Sequence, residues 1–76
     1  MKIEILGTGC PKCKKLFQNT EEAVKDLNLE AEVVKVEDIQ KIMNAGVMMT
    51  PAFAVDGEVK STGKVLSVDE IKNIIK

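Results

Sequence analysis

Histidine, tryptophan and tyrosine are absent from this chain, and its 76 residues include only two cysteines, two prolines and two phenylalanines. Without histidine, and with two thiols, one copy of the chain cannot close a four-ligand zinc site by the usual residues. Two cysteines are also too few for a disulfide-rich secreted scaffold. A bond between Cys10 and Cys13 closes only a very short loop, for which chain entropy gives about 2 kcal/mol of stabilisation at most. A structural staple would be poorly placed there. No apolar run approaches the ~20 residues of a membrane-spanning helix. The opening Met1-Lys2-Ile3-Glu4-Ile5-Leu6 is interrupted by Glu4 and gives way to Gly7-Thr8-Gly9, too short for the core of a signal peptide. A cytoplasmic protein is expected. In a reducing cytosol, two cysteines at this spacing point to metal or redox work. The net charge of −1, from eleven basic and twelve acidic side chains, gives no reason to expect nucleic acid or an anionic membrane as partner.

What is present suits one soluble domain spanning residues 1–76. Apolar residues make up 45% of the chain and charged residues 30%, as in an ordinary globule rather than a disordered tail. A chain this short buries roughly 60–65% of its unfolded surface, so its stability margin is thin. Lys2-Ile3-Glu4-Ile5-Leu6 reads as a first strand ended by glycines. From Pro11 to Leu27 no interior glycine or proline occurs, and Leu16, Phe17, Thr20, Ala23, Val24 and Leu27 fall on one helix face. Pro11 suits the first helical position, and Asn28 tolerates the left-handed geometry of a helix stop. Glu32-Val33-Val34-Lys35-Val36 is a second strand, parallel to the first through a right-handed crossover. Asp38 caps a short helix carrying Ile39, Ile42 and Met43, which Gly46 ends. Ala52–Val55 and Glu58–Ser61 flank Asp56-Gly57, a hairpin signal because both turn residues need positive φ. Ser67 and Glu70 form a capping box ahead of Ile71, Ile74 and Ile75. The order is β-α-β-α-β-β-α, an α/β fold with a four-stranded mixed sheet whose first two strands are parallel and last two antiparallel.

The chemistry concentrates in Gly9-Cys10-Pro11-Lys12-Cys13, where the first strand gives way to the first helix. A helix N-terminus carries partial positive charge and stabilises a thiolate. Thiol–disulfide exchange needs one accessible nucleophile of depressed pKa and a second sulfur near enough to resolve the mixed disulfide. Cys10, just ahead of the helix, is assigned as the attacking thiol. Cys13, about one turn later and partly inside, is the resolving thiol. Lys12, Lys14 and Lys15 either tune the site or form a solvated helix face. Glu4 is a candidate proton acceptor for Cys13 or an exposed strand residue. Met48 and Met49, with Val47, form either an adaptable apolar rim beside the dithiol or core filling. Pro51 begins the third strand, and a cis Thr50–Pro51 bond is the more specific reading of that proline.

A Cys-Pro-x-Cys after the first strand, Thr50-Pro51 before a later strand, the Asp56-Gly57 hairpin, Gly63 and a closing helix together resemble the thioredoxin superfamily. More narrowly, the chain resembles the small prokaryotic redox-active disulfide proteins of glutaredoxin-like size, over nearly its whole length. The resemblance implies a minimal thioredoxin fold, with four strands covered by three helices. It implies that Cys10 attacks, that Cys13 resolves, and that Pro51 is cis and packs against the dithiol. Thr50 backbone groups, with Met49 beside them, would then hold the partner in an extended, strand-like manner. Pro11 and Lys12, between the cysteines, would tune a potential of roughly −180 to −270 mV. No tryptophan precedes Cys10 and no tyrosine lies between the cysteines, unlike standard thioredoxins and glutaredoxins. Thr62-Gly63-Lys64 lacks the paired glycines and following acids with which glutaredoxins hold glutathione, which argues against glutathione as partner. The expected function is protein thiol–disulfide oxidoreductase and electron carrier. It would need no cofactor beyond the Cys10–Cys13 couple, would act on protein disulfides and be restored by an external disulfide reductase. A monomer is expected.

Two other classes compete. A soft-metal carrier for copper(I), mercury or zinc also places a Cys-x-x-Cys after its first strand, but such carriers end β-β-α-β, whereas this chain ends β-β-α. A redox-inert module would use its cysteines for packing alone, which leaves unexplained why two of them straddle Pro11-Lys12 at a helix start.

Overall fold

The computed structural model describes residues 1–9 and 11–76. Strand β1 (Lys2–Leu6) is central, with β2 (Glu32–Val36) parallel on one side and β3 (Ala52–Val55) antiparallel on the other. Strand β4 (Glu58–Thr62) pairs antiparallel with β3, giving the order β2-β1-β3-β4. The described elements run β-α-β-α-β-β-α, the minimal thioredoxin arrangement that the sequence suggests.

Strand alternation divides the core into two unequal parts. Ile3 and Ile5 of β1 and Phe53 of β3 face helix α1 (Pro11–Asp26) and helix α3 (Val68–Ile75). There they pack with Leu16, Ala23, Leu66, Ile71 and Ile75. On the opposite face Leu6, Ala52 and Ala54 meet Ile42 of helix α2 (Ile39–Asn44) and Val47 just beyond it. The two alanines leave room for this six-residue helix to approach the sheet.

Local chemistry fixes the ends of these elements. Pro11 opens α1, where its missing N–H is no loss. Asn28, at φ 54°, supplies the left-handed residue after the helix. Thr20 is fully buried on α1, and its hydroxyl donates to the Leu16 carbonyl at 2.8 Å, so no donor is stranded in the core. Asp56 and Gly57 both take positive φ, 50° and 86°, as a tight hairpin turn requires. The turn is also tied back to β1: Lys2 N donates to Asp56 Oδ1 at 2.8 Å and Asp56 N to the Lys2 carbonyl at 2.7 Å. The Ser67/Glu70 capping box forms at the start of α3. Asn19 Nδ2 donates to the Leu66 carbonyl at 2.9 Å, and Lys72 pairs with Asp26 at 3.1 Å, joining α1 to the α3 region. The sequence pattern gave no sign of the irregular register between Phe53 and Ala54, where β4 gains a residue.

Candidate active site

The site forms where the C-terminal end of β1 meets the first turn of α1. Cys10 lies outside the described residues. Cys13, in that first turn, is buried with 6% of its surface exposed. It lies on the same α1 face as Leu16, Thr20 and Ala23, the spacing of a buried helical stripe. No acidic residue occurs in the first turn of α1, whose free N–H groups carry partial positive charge. Lys12, Lys14 and Lys15 are all exposed, and Lys14 lines the cavity beside Cys13.

Gly7 explains how the buried sulfur fits. Its N–H donates to the Val36 carbonyl at 2.9 Å, continuing the sheet one residue past β1. A Cβ built on Gly7 would overlap Cys13 Sγ and come within 3.3 Å of Cys13 Cβ and 3.8 Å of Pro51 Cα. One residue without a side chain thus lets the Cys13 side chain and the Pro51 backbone converge. Sequence reasoning read this glycine only as a strand end. A glycine closing a strand just ahead of a dithiol is nevertheless a recognisable signal of close backbone approach.

The Thr50–Pro51 peptide bond is cis, and Pro51 is buried. The Pro51 carbonyl accepts from Gly63 N at 2.8 Å. Gly63 has φ 67°, and a Cβ there would meet Met49 Cε at 3.0 Å and Met49 Cβ at 3.1 Å. Met49 therefore lies across Gly63, while Thr50 is exposed between Met49 and the proline. The two methionines do not fill the core: Met48 is 96% exposed and Met49 63%. Val47, grouped with them in sequence, is instead buried at 6% against α2.

Glu4 is not brought to Cys13. Alternation along β1 sends Ile3 and Ile5 to the α1 face and so turns half-buried Glu4 to the face that α2 covers. On the Cys13 side the structure places Lys35 and Glu37, which sequence reasoning did not select. Lys35, opposite Ile5 in the β1–β2 register, holds its ammonium 4.6 Å from the centre of the Phe17 ring. A Cβ on Gly9 would lie 3.3 Å from Glu37 Oε2. Only the pairing of β2 with β1 makes these two residues neighbours of the site.

A family model described as "Thioredoxin domain" matches residues 1–76. A protein named "Thioredoxin" from Methanothermobacter thermautotrophicus is 48% identical over 75 residues, covering 99% of this chain and 97% of that protein. A second "Thioredoxin", from Methanocaldococcus jannaschii, is 45% identical over 74 residues, covering 97% of this chain and 85% of its own length. A "Probable Thioredoxin" from Methanothermobacter marburgensis is 31% identical over 67 residues, covering 83% and 79%. With a family match along its full length and relatives of similar length that are 45–48% identical, this chain belongs to the thioredoxin domain family.

Proposed function

We propose that this protein is a protein thiol–disulfide oxidoreductase working through Cys10 and Cys13, a refinement of the general activity that its thioredoxin relatives support. The Cys10 thiolate attacks one sulfur of a substrate disulfide. A Cys10–substrate disulfide forms and the other substrate sulfur leaves as a thiolate. The Cys13 thiolate then attacks the Cys10 sulfur, closing the Cys10–Cys13 bond and releasing the second substrate thiolate. Two electrons pass to the substrate, and an external disulfide reductase restores the dithiol. The couple itself is the redox group, and the reading calls for no further cofactor.

The observation that carries this reading is the convergence of the buried Cys13 side chain and Pro51 on Gly7, at the start of a helix whose first turn holds no acid. Exposed Thr50 and Met49 flank that convergence and offer an extended substrate a place to pair. Pro11 and Lys12 act as tuning residues, through the position of the helix start and its charge. Glu4, on the opposite face, has no part in the proposal. No helix among the described residues is long and apolar enough to cross a membrane. A monomer in the reducing cytoplasm, where a reductase keeps the pair as thiols, completes the reading.

The test is reduction of a protein disulfide by single-cysteine variants. Cys10→Ser should abolish reduction, while Cys13→Ser should accumulate mixed disulfides with substrate, visible by mass spectrometry. Full turnover by Cys10→Ser contradicts the proposal.

A further inference from the structure

Resting on the proposed dithiol chemistry, we infer that the cavity on the β2 side of Cys13 binds small amino-acid disulfides of the cystine type. In that cavity Lys14 and Lys35 receive the ligand's carboxylate and Glu37 its ammonium.

The cavity has a volume of about 280 Å³ and is walled by Ile5, Gly9, Cys13, Lys14, Lys35 and Glu37, among others. At ~30 Å³ per water, it has room for roughly nine water molecules, the scale of a small metabolite rather than a polypeptide segment. Its position is distinct from the Pro51 side. In the order β2-β1-β3-β4, β2 and β3 lie on opposite sides of β1. Lys35 and Glu37 belong to β2 and its end, whereas Pro51 precedes β3. Cys13 is therefore approached from two sides, by Pro51 and by this cavity.

Charge selects the ligand class. None of Lys14, Lys35 and Glu37 enters an ion pair among the described residues, although all three line one cavity. Lys35 is held over the Phe17 ring, and Glu37 Oε2 reaches toward Gly9, where the absence of a side chain admits it. All three charged residues are exposed, so they stand at the mouth of the cavity, where two cations and one anion complement a molecule carrying both carboxylate and ammonium groups. The sulfur chemistry rests on Cys13, which forms one wall of the cavity, and on the proposed pairing of Cys13 with Cys10.

In the reaction, Cys10 thiolate attacks the ligand disulfide, releasing one cysteine-type thiolate and leaving the other half bonded to Cys10. Cys13 thiolate then displaces that half. The ligand disulfide gains two electrons and the protein dithiol becomes a disulfide.

The decisive experiment is single-turnover oxidation of the fully reduced protein at pH 7 without oxygen, quenched by alkylation and read by mass. Cystine and the uncharged bis(2-hydroxyethyl) disulfide are compared as oxidants. Cystine carries equal positive and negative charge, so the general field of the lysines gives it no net attraction and a preference must come from a site. The ratio of cystine rate to neutral-disulfide rate should fall by about tenfold or more in the double variant Lys14→Glu/Lys35→Glu, which replaces both cations facing the ligand's carboxylate by anions. A smaller fall is expected in Glu37→Gln. A ratio unchanged in both variants overturns the inference. If neither disulfide oxidises the pair in the unaltered protein, the dithiol reading itself fails, a distinct result. As an independent readout, S-methylcysteine, which cannot react, should shift the amide resonances of Gly9, Lys35 and Glu37 in the oxidised protein. Shifts confined to Thr50 and Gly63 would contradict the placement.

Discussion

The two faces of the sheet are built to different standards. Beneath α1 and α3 lies a cluster of large side chains, including Ile3, Ile5, Leu16, Phe53 and Ile71, each exposed by 2% or less. Beneath α2 the cluster is smaller and made partly of alanine, and the same region leaves Ile39, Met43, Met48 and Met49 more than 60% exposed. The well-packed face anchors α1, and with it Cys13. The thinly packed face ends in the Met48–Pro51 loop that flanks the sulfur.

The sharpest way to break this comparison is to truncate one core residue on each face. Phe53→Ala should cost about 3–5 kcal/mol in urea unfolding, and Ile42→Ala about 2 kcal/mol, because large buried side chains leave larger cavities. Equal losses would mean that the faces contribute alike. Next in size is Gly7→Ala at the seam between them. The added methyl meets Cys13 Sγ, so overpacking of about 1–3 kcal/mol is expected, together with slower disulfide reduction. Unchanged stability and rate would remove Gly7 from the account. Met48→Ser should change stability by less than about 0.5 kcal/mol, as for an ordinary surface residue. It should nevertheless raise KM for a protein disulfide more than for a small one; an equal change in both would deny Met48 a place in docking.

The smallest effect concerns acid. The Lys64 ammonium, donating at 2.8 Å, and next the Ser67 backbone N–H hold the Glu70 carboxyl below its ordinary range. A carboxyl of lowered folded-state pKa stabilises the protein above its unfolded value, and the contribution fades as pH falls through the folded value. The melting temperature of the protein should therefore exceed that of Glu70→Gln near neutrality, and the gap should close on acidification. A gap that widens in acid contradicts this assignment.

Much of this architecture is legible in sequence because it is local. The positive φ of Asp56-Gly57, the capping box of Ser67 and Glu70, Pro11 at a helix start and Asn28 after its end each depend on a few adjacent residues. So does the dithiol motif. What escaped depends on which strands pair and which face each helix covers. Alternation separates Glu4 from Ile3 and Ile5, but only α1 packing on the isoleucines puts Glu4 away from Cys13. Likewise Glu37 and Lys35 join the site through the β1–β2 register, and Met48 and Met49 have the same composition whether they fill a core or line a rim. Gly7 is the intermediate case, visible as a glycine yet explained only by the sulfur beside it.

The central claim is that Cys10 and Cys13 form one two-electron couple. Equilibrating the protein in buffers of graded thiol–disulfide potential and counting alkylated cysteines tests it most directly. Both thiols should disappear together in a single reversible transition, with a midpoint within roughly −180 to −270 mV and a slope of about 30 mV per decade. Two thiols that titrate separately, or that never close a bond with each other, would contradict it.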